Sequence, residues 1–191
     1  MKITNQVIGM KLIITIATIA LFSIANSSAQ TLYKASNASV SFFSKTPIED
    51  IDGKSETATT LINLETKDIA FVIQNISFIF PNKLMQEHFN EKYMESEKYP
   101  MSSFRGNVQE NIDLKVAGVY QVTVKGKLTI HGIIQERTIT GTITVKEGSI
   151  LLESNFIVKN SDHKIEIPSL VATKIADELD VKVKATLIPK K

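Results

Sequence analysis

Between Tyr120 and Ile130 the chain alternates without a break. Tyr120, Val122, Val124, Gly126, Leu128 and Ile130 fall on one parity, and Gln121, Thr123, Lys125, Lys127 and Thr129 on the other. A period of two places each set on one face of a strand, whereas a helix would mix them. The pattern returns in Ile139, Gly141, Ile143 and Val145 against Thr138, Thr140, Thr142 and Thr144, and in Val181, Val183, Ala185 and Leu187 against Lys182, Lys184 and Thr186. These are strands with one dry and one wet face. Ile150, Leu152, Ser154, Phe156 and Val158 predict another strand. Ile69, Phe71 and Ile73 predict an earlier one, running into Ile76, Phe78 and Phe80 with a change of parity that predicts a bulge near Gln74 and Asn75.

Turn signals separate these runs at short intervals: Asp52-Gly53, Ala117-Gly118, His131-Gly132, Glu147-Gly148 and Asn160-Ser161-Asp162. Such spacing predicts antiparallel hairpins, with no room for crossover helices. About seven or eight strands, several of them long, suit a closed barrel better than a small sandwich. Helical signal is confined to two places. Asn82 to Met94 carries Leu84, Met85, His88, Phe89 and Tyr93 on one side, with Asn82 as N-cap after Pro81; Ser169 to Leu179 is weaker. No repeat, linker or charge block divides the chain.

The first thirty residues read differently. Lys2 and Lys11 precede an uncharged, largely apolar stretch from Leu12 to Ile24, too short to span a bilayer, and Ser27-Ser28-Ala29 offers the small residues of a cleavage site. The expectation is a signal peptide over 1–29, cut after Ala29, and one domain over 30–191 delivered to the periplasm or secreted. The 22 basic residues outnumber the 20 acidic ones only through Lys2 and Lys11. The remaining chain is balanced in charge and has no footprint for nucleic acid. There is no cysteine, which excludes disulfides, thiolate metal sites and a lipoprotein anchor.

Little in the chain points to catalysis. Neither a Gly-x-Ser-x-Gly elbow, a phosphate-cradling glycine loop nor His-Glu-x-x-His is present. His88, His131 and His163 lack the paired spacing of metal ligands, so structural or surface roles are expected. Glu87, Glu91, Glu95 and Glu97, interleaved with Lys92 and Lys98, read as a solvated helix face. A barrel of this size can be filled by side chains or hold one ligand. With nine Phe, four Tyr and no Trp, several on the inward parity, a ligand there would be apolar.

The segment Leu84-Met85-Gln86-Glu87-His88-Phe89-Asn90-Glu91-Lys92-Tyr93 through Tyr99-Pro100 and Phe104-Arg105-Gly106 resembles the helix-and-exit signature of YceI-like proteins. The strand from Gly118 to His131-Gly132 looks like their second landmark, and Phe156-Ile157-Val158 with Asp162 and Ile175-Ala176-Asp177 to Leu187 like a third. The resemblance spans Leu32 to Ile188. It implies an all-β, eight-stranded antiparallel, lipocalin-like barrel with one or two short helices. It implies a periplasmic protein that binds a long polyisoprenoid lipid, an isoprenoid quinone or its precursor, along the barrel axis, with no catalytic residues and no cofactor beyond that lipid. Contact with a membrane would be transient, and two copies would pair through an outer face. On this reading the inward parity lines the tunnel with Phe42, Phe71, Ile73, Phe78, Tyr120, Val122, Val124, Leu128, Ile130, Leu152 and Phe156. His88, Phe89 and Tyr93 close one mouth from the helix. Two rivals remain: an enzyme or electron-transfer accessory acting on the headgroup through His88, His131 or Asp162, and a filled structural or stress-response barrel.

Overall fold

A computed structural model describes residues 31–190; the signal-peptide reading of 1–29 lies outside them. Eight strands follow in chain order: β1 Leu32–Lys45, β2 Asp50–Asn63, β3 Asp68–Gln74, β4 Met101–Val108, β5 Gly118–Ile130, β6 Ile133–Lys146, β7 Ser149–Lys159 and β8 Glu178–Pro189. Each pairs antiparallel with the next, and β8 pairs with β1 to close the barrel. The period-two runs become strands whose dry parity faces inward. Val122, Val124 and Leu128 are buried while Gln121, Lys125 and Lys127 are exposed. This polarity, wet outside and apolar inside, is the inverse of a lipid-embedded barrel. No helix among the described residues is long and apolar enough to cross a membrane.

The β5–β6 hairpin turns at His131 and Gly132, with φ of 50° and 72°, between the paired Ile130 and Ile133. Two consecutive positive φ values match the right-handed twist of the flanking strands. Asp52-Gly53 makes no turn. Both lie inside β2, Gly53 opposite Phe42 of β1, because the glycine serves there as space and not as a bend. The parity change after β3 is no bulge either. Asn75–Ser77 forms a 3-10 turn, and the chain then runs extended, with Ile79 bridging Lys54.

The first helical expectation is met in part. Helix α1, Lys83–His88, begins where the Asn82 side chain accepts from the Leu84 N–H at 2.8 Å. It gives way to a π-helical turn over Phe89–Tyr93, where the Met94 N–H donates to the Phe89 carbonyl at 2.8 Å. The Asn90 side chain fastens this exit, donating to the Gln86 carbonyl and accepting from Ser96 Oγ. The second expectation fails. Ser169 to Lys174 forms successive turns, Ile175 to Asp177 is irregular, and Glu178 and Leu179 already belong to β8, paired with Lys159 and Val158. So short a stretch, with β-branched Val171, Thr173 and Ile175, has little intrinsic helix stability.

The barrel is filled at one end only. Ile62, Val108, Leu114, Ile143, Ile150 and Leu187 pack together there with almost no exposure. At the other end the strands flare under α1 and the loop between β7 and β8. The wall also splits there. β6 pairs with β7 only from Gly141 to Lys146, and beyond Ser154 β7 pairs with β8 alone. Side chains cross the gap instead: Ser154 Oγ donates to the Thr140 carbonyl at 2.6 Å, Gln135 Nε2 to the Asp162 carbonyl at 2.6 Å, and Arg137 Nη2 to the Ile157 carbonyl. Arg137 also faces the Asp162 carboxylate at 3.6 Å.

Candidate functional site

The flared end encloses a cavity of about 440 Å³, within the range of small-molecule sites. Its roof is aromatic. The ring of Phe89 stacks on Phe42 at 5.6 Å between centroids, and Phe78 and Phe80 meet both at 4.9 to 5.8 Å. Gly53 makes this cluster possible. A Cβ there would stand 2.5 Å from Phe42 Cζ and 3.0 Å from Phe80 Cζ, so only glycine leaves the rings their seat. The π-helical turn contributes Phe89 and Tyr93 to the lining, joined by Met94, which caps it.

Walls come from Phe71 and Ile73 of β3, Phe104 of β4, Leu128 and Ile130 of β5, Phe156 of β7 and Val181 of β8. The polar groups deepest in the lining are occupied by the protein itself. Fully buried Asn75 donates to the Tyr99 carbonyl at 2.6 Å and accepts from Ser102 Oγ at 2.8 Å. Buried Ser44 Oγ accepts from the Ala176 N–H at 2.9 Å. With their hydrogen bonds made, these groups leave an apolar surface facing the void. Burial holds the Tyr93 hydroxyl above its ordinary value of 10.0, so it stays a neutral donor beside the cavity. Glu49, His88 and Lys174 complete the lining with one anionic, one imidazole and one cationic group from three segments.

Ten of the fourteen predicted residues meet in this cavity: Phe42, Phe71, Ile73, Phe78, Leu128, Ile130, Phe156, His88, Phe89 and Tyr93. Val122, Val124 and Leu152 line a separate chamber of about 70 Å³ further toward the packed end. Tyr120 lines neither space. Its ring lies over Gly118 and its hydroxyl donates to the Val116 carbonyl at 2.9 Å, closing the barrel floor. The space is therefore blind, not a tunnel along the whole axis. The sequence reading missed Phe80 and Phe104, whose aromatic character and parity were visible. It also missed Ile165, Ile167, Val171 and Ile175, which lie on a loop where no periodicity marks an inner face.

The histidines occupy three different environments. His88 lines the cavity from the end of α1. His131 Nε2 meets Glu95, and its Nδ1 lies 3.2 Å from the His163 carbonyl. His163 is fully buried, with Nδ1 3.3 Å from the Ile133 carbonyl. A carbonyl only accepts, so Nδ1 carries the proton and Nε2 is left bare, without a partner. Among the described residues no group of three or more His, Asp or Glu is placed to hold a metal ion.

The family model described as YceI-like domain matches residues 31–187. The chain belongs to the YceI-like family. No curated protein matches it. Solved YceI-like and related barrels share its fold. A polyisoprenoid binding domain from Saccharophagus degradans, implicated in plant cell wall breakdown, superposes with a TM-score of 0.72 at 13% identity, over 84% of this chain and 99% of that one. BcnA of Burkholderia cenocepacia gives 0.67 at 18% identity, over 78% and 95%. The YCEI protein of Campylobacter jejuni gives 0.63 at 17% identity, over 77% and 90%. At these identities the solved structures establish a common barrel, while the lining is this chain's own.

Proposed function

We propose that this YceI-like barrel is a non-enzymatic carrier or store for a polyisoprenoid lipid, an isoprenoid quinone or its precursor, held with its chain in the blind cavity. The observation that carries the reading is a closed wall, wet outside, around an apolar void whose buried polar groups already have partners. The Saccharophagus degradans domain described as polyisoprenoid binding lends its ligand class to this reading. The lining beside α1 suits a neutral headgroup. Tyr93 offers a hydroxyl donor, and Glu49 opposes any cluster of cations that would select a diphosphate.

Energetics favour a carrier that exchanges with membranes. Each isoprene unit removed from water is worth roughly 4 kcal/mol at about 0.8 kcal/mol per carbon group. A few units therefore approach the ceiling of about 20 kcal/mol on non-covalent affinity. A chain drawn from a bilayer is already dry, so the net transfer is small and reversible. Exposed Ile48, Leu84 and Leu170, each lining the cavity or adjacent in sequence to a lining residue, offer apolar surface for transient membrane contact. On the same reading the segment 1–29 is a leader that delivers the protein to the periplasm.

Extraction and mass spectrometry of the protein purified from its native envelope test this reading. A stoichiometric polyprenyl species is expected. A lipid-free, monodisperse and folded protein that also takes no polyprenol from vesicles would overturn it. Turnover of a quinone by the purified protein would turn the reading toward the headgroup-enzyme alternative.

A further inference from the structure

The main cavity and the small chamber have three lining residues in common, and all three are phenylalanines: Phe71, Phe104 and Phe156. Phe71 and Phe104 stand directly opposite each other on β3 and β4, and Phe156 projects from β7, where its β8 partner Val181 lines the main cavity. Successive inward rows run from flared to packed end, and this row falls where the void narrows. On β5, Leu128 beside Phe104 lines the main cavity, while Val124 and Val122 face the small chamber.

The backbone below the row is shaped for a ring. Gly106 follows Phe104 on the inward parity, and a Cβ there would stand 2.9 Å from Phe104 Cζ. The Phe104 ring thus leans over a glycine toward the packed end, into the space between the two voids. None of the three rings is fully buried, and each lines both voids. The small chamber also reaches the β6–β7 seam at Thr140, Gly141, Thr142, Glu153 and Ser154, and since interiors close-pack around side chains of fixed volume, truncating one of the three rings would join it to the main cavity.

We infer that Phe71, Phe104 and Phe156 form a septum that sets the length of chain the cavity accepts, with the small chamber as the space a longer chain would reach if a ring were removed. The inference rests on the cavity being a prenyl-chain site. Its content is the specificity: the tail end stops against aromatic faces, and the limit lies in these side chains, not in the barrel floor. Ile139, which pairs with Val124 and lines the small chamber but not the main cavity, should then matter only once the septum is breached.

The test equilibrates the full chain with vesicles carrying a ladder of polyprenols that differ by one isoprene unit, followed by mass spectrometry of the protein-bound fraction. The wild-type protein is expected to show an upper cut-off in chain length. Phe104→Ala and Phe156→Ala should each raise that cut-off by at least one unit, and adding Ile139→Phe to Phe156→Ala should bring it back. A cooperative thermal melt certifies each variant as folded. An unchanged cut-off in folded Phe104→Ala and Phe156→Ala proteins overturns the septum and leaves the carrier reading standing. A wild-type protein that takes up no polyprenol overturns both.

Discussion

His131 Nε2 and Glu95 Oε2 lie 2.8 Å apart, joining the β5–β6 turn to the end of the π-helical segment. Both residues have positive φ, 50° for His131 and 43° for Glu95, so the contact links two tightly turned points of the chain. The Tyr99 ring meets the imidazole edge-on at 4.5 Å. This is how the helical cover of the cavity is fastened to the barrel wall.

The hydrogen bond to His131 holds the Glu95 carboxyl below its ordinary 4.5, with Lys98 adding a smaller pull. A depressed carboxylate stabilises the fold above its unfolded value, and that contribution is lost as pH falls through the folded one. Glu95→Gln should therefore melt earlier than wild type near neutrality, with the gap closing below pH 4.5. Thermal melts of both proteins across that range check it.

His163 works in a different window. Burial lowers its pKa below 6.5, so the unfolded chain takes up a proton that the native protein refuses. Stability from this group is complete above pH 6.5 and declines as pH drops below it. In His163→Gln the stability slope between pH 6.5 and the onset of carboxylate titration should flatten, read from denaturant midpoints. His163→Ala should cost roughly 2–4 kcal/mol through the cavity it leaves in a fully buried site.

Phe89 is half-buried in the roof, so a polar replacement there should spare the barrel. Phe89→Asp places a carboxylate against the bound chain and should weaken retention of a fluorescent prenyl probe by roughly tenfold or more, since each 1.4 kcal/mol of desolvation is a factor of ten. Equal probe retention by wild type and a folded variant would remove the roof from the binding surface.

Gly126 faces Gly106 across β4 and β5, and a Cβ on Gly126 would overlap the Arg105 carbonyl oxygen. Gly126→Ala should cost about 1–3 kcal/mol through overpacking. Gly148, with φ of 70° and open space around it, tests the opposite case. Gly148→Asn should stay within about 0.5 kcal/mol, because asparagine tolerates the left-handed region. Paired urea titrations distinguish the two.

The barrel was legible because its interior and exterior differ at every second residue. Tyr120 to Ile130 could take no other regular form. What escaped was local chemistry that period does not encode. Asp52-Gly53 has the composition of a turn, yet the glycine is there to seat Phe42, a partner across the strand pair. The parity slip after Ile73 looks the same for a bulge as for the 3-10 turn at Asn75. For the site, parity found the residues on regular strands, but it could not tell filled from empty. Tyr120 and Phe156 carry the same signal at opposite ends of a barrel packed at only one of them. The Ile165 to Ile175 lining was invisible because its inward direction is imposed by tethers such as Asn160 Nδ2 to the Ala176 carbonyl at 3.0 Å.

The parting of β6 from β7 gives the barrel a weak stave. The β5–β6 and β7–β8 seams on either side are stitched by backbone amides along their length, but from Ile133 to Thr140 this stave is laced to β7 and the loop after it by the side chains of Arg137, Gln135 and Ser154. Lacing of that kind loosens one tie at a time, whereas a ladder yields as a whole. Thermal agitation should therefore open a slit along this line well before the molecule unfolds, and deuterium should reach the amides bordering it first.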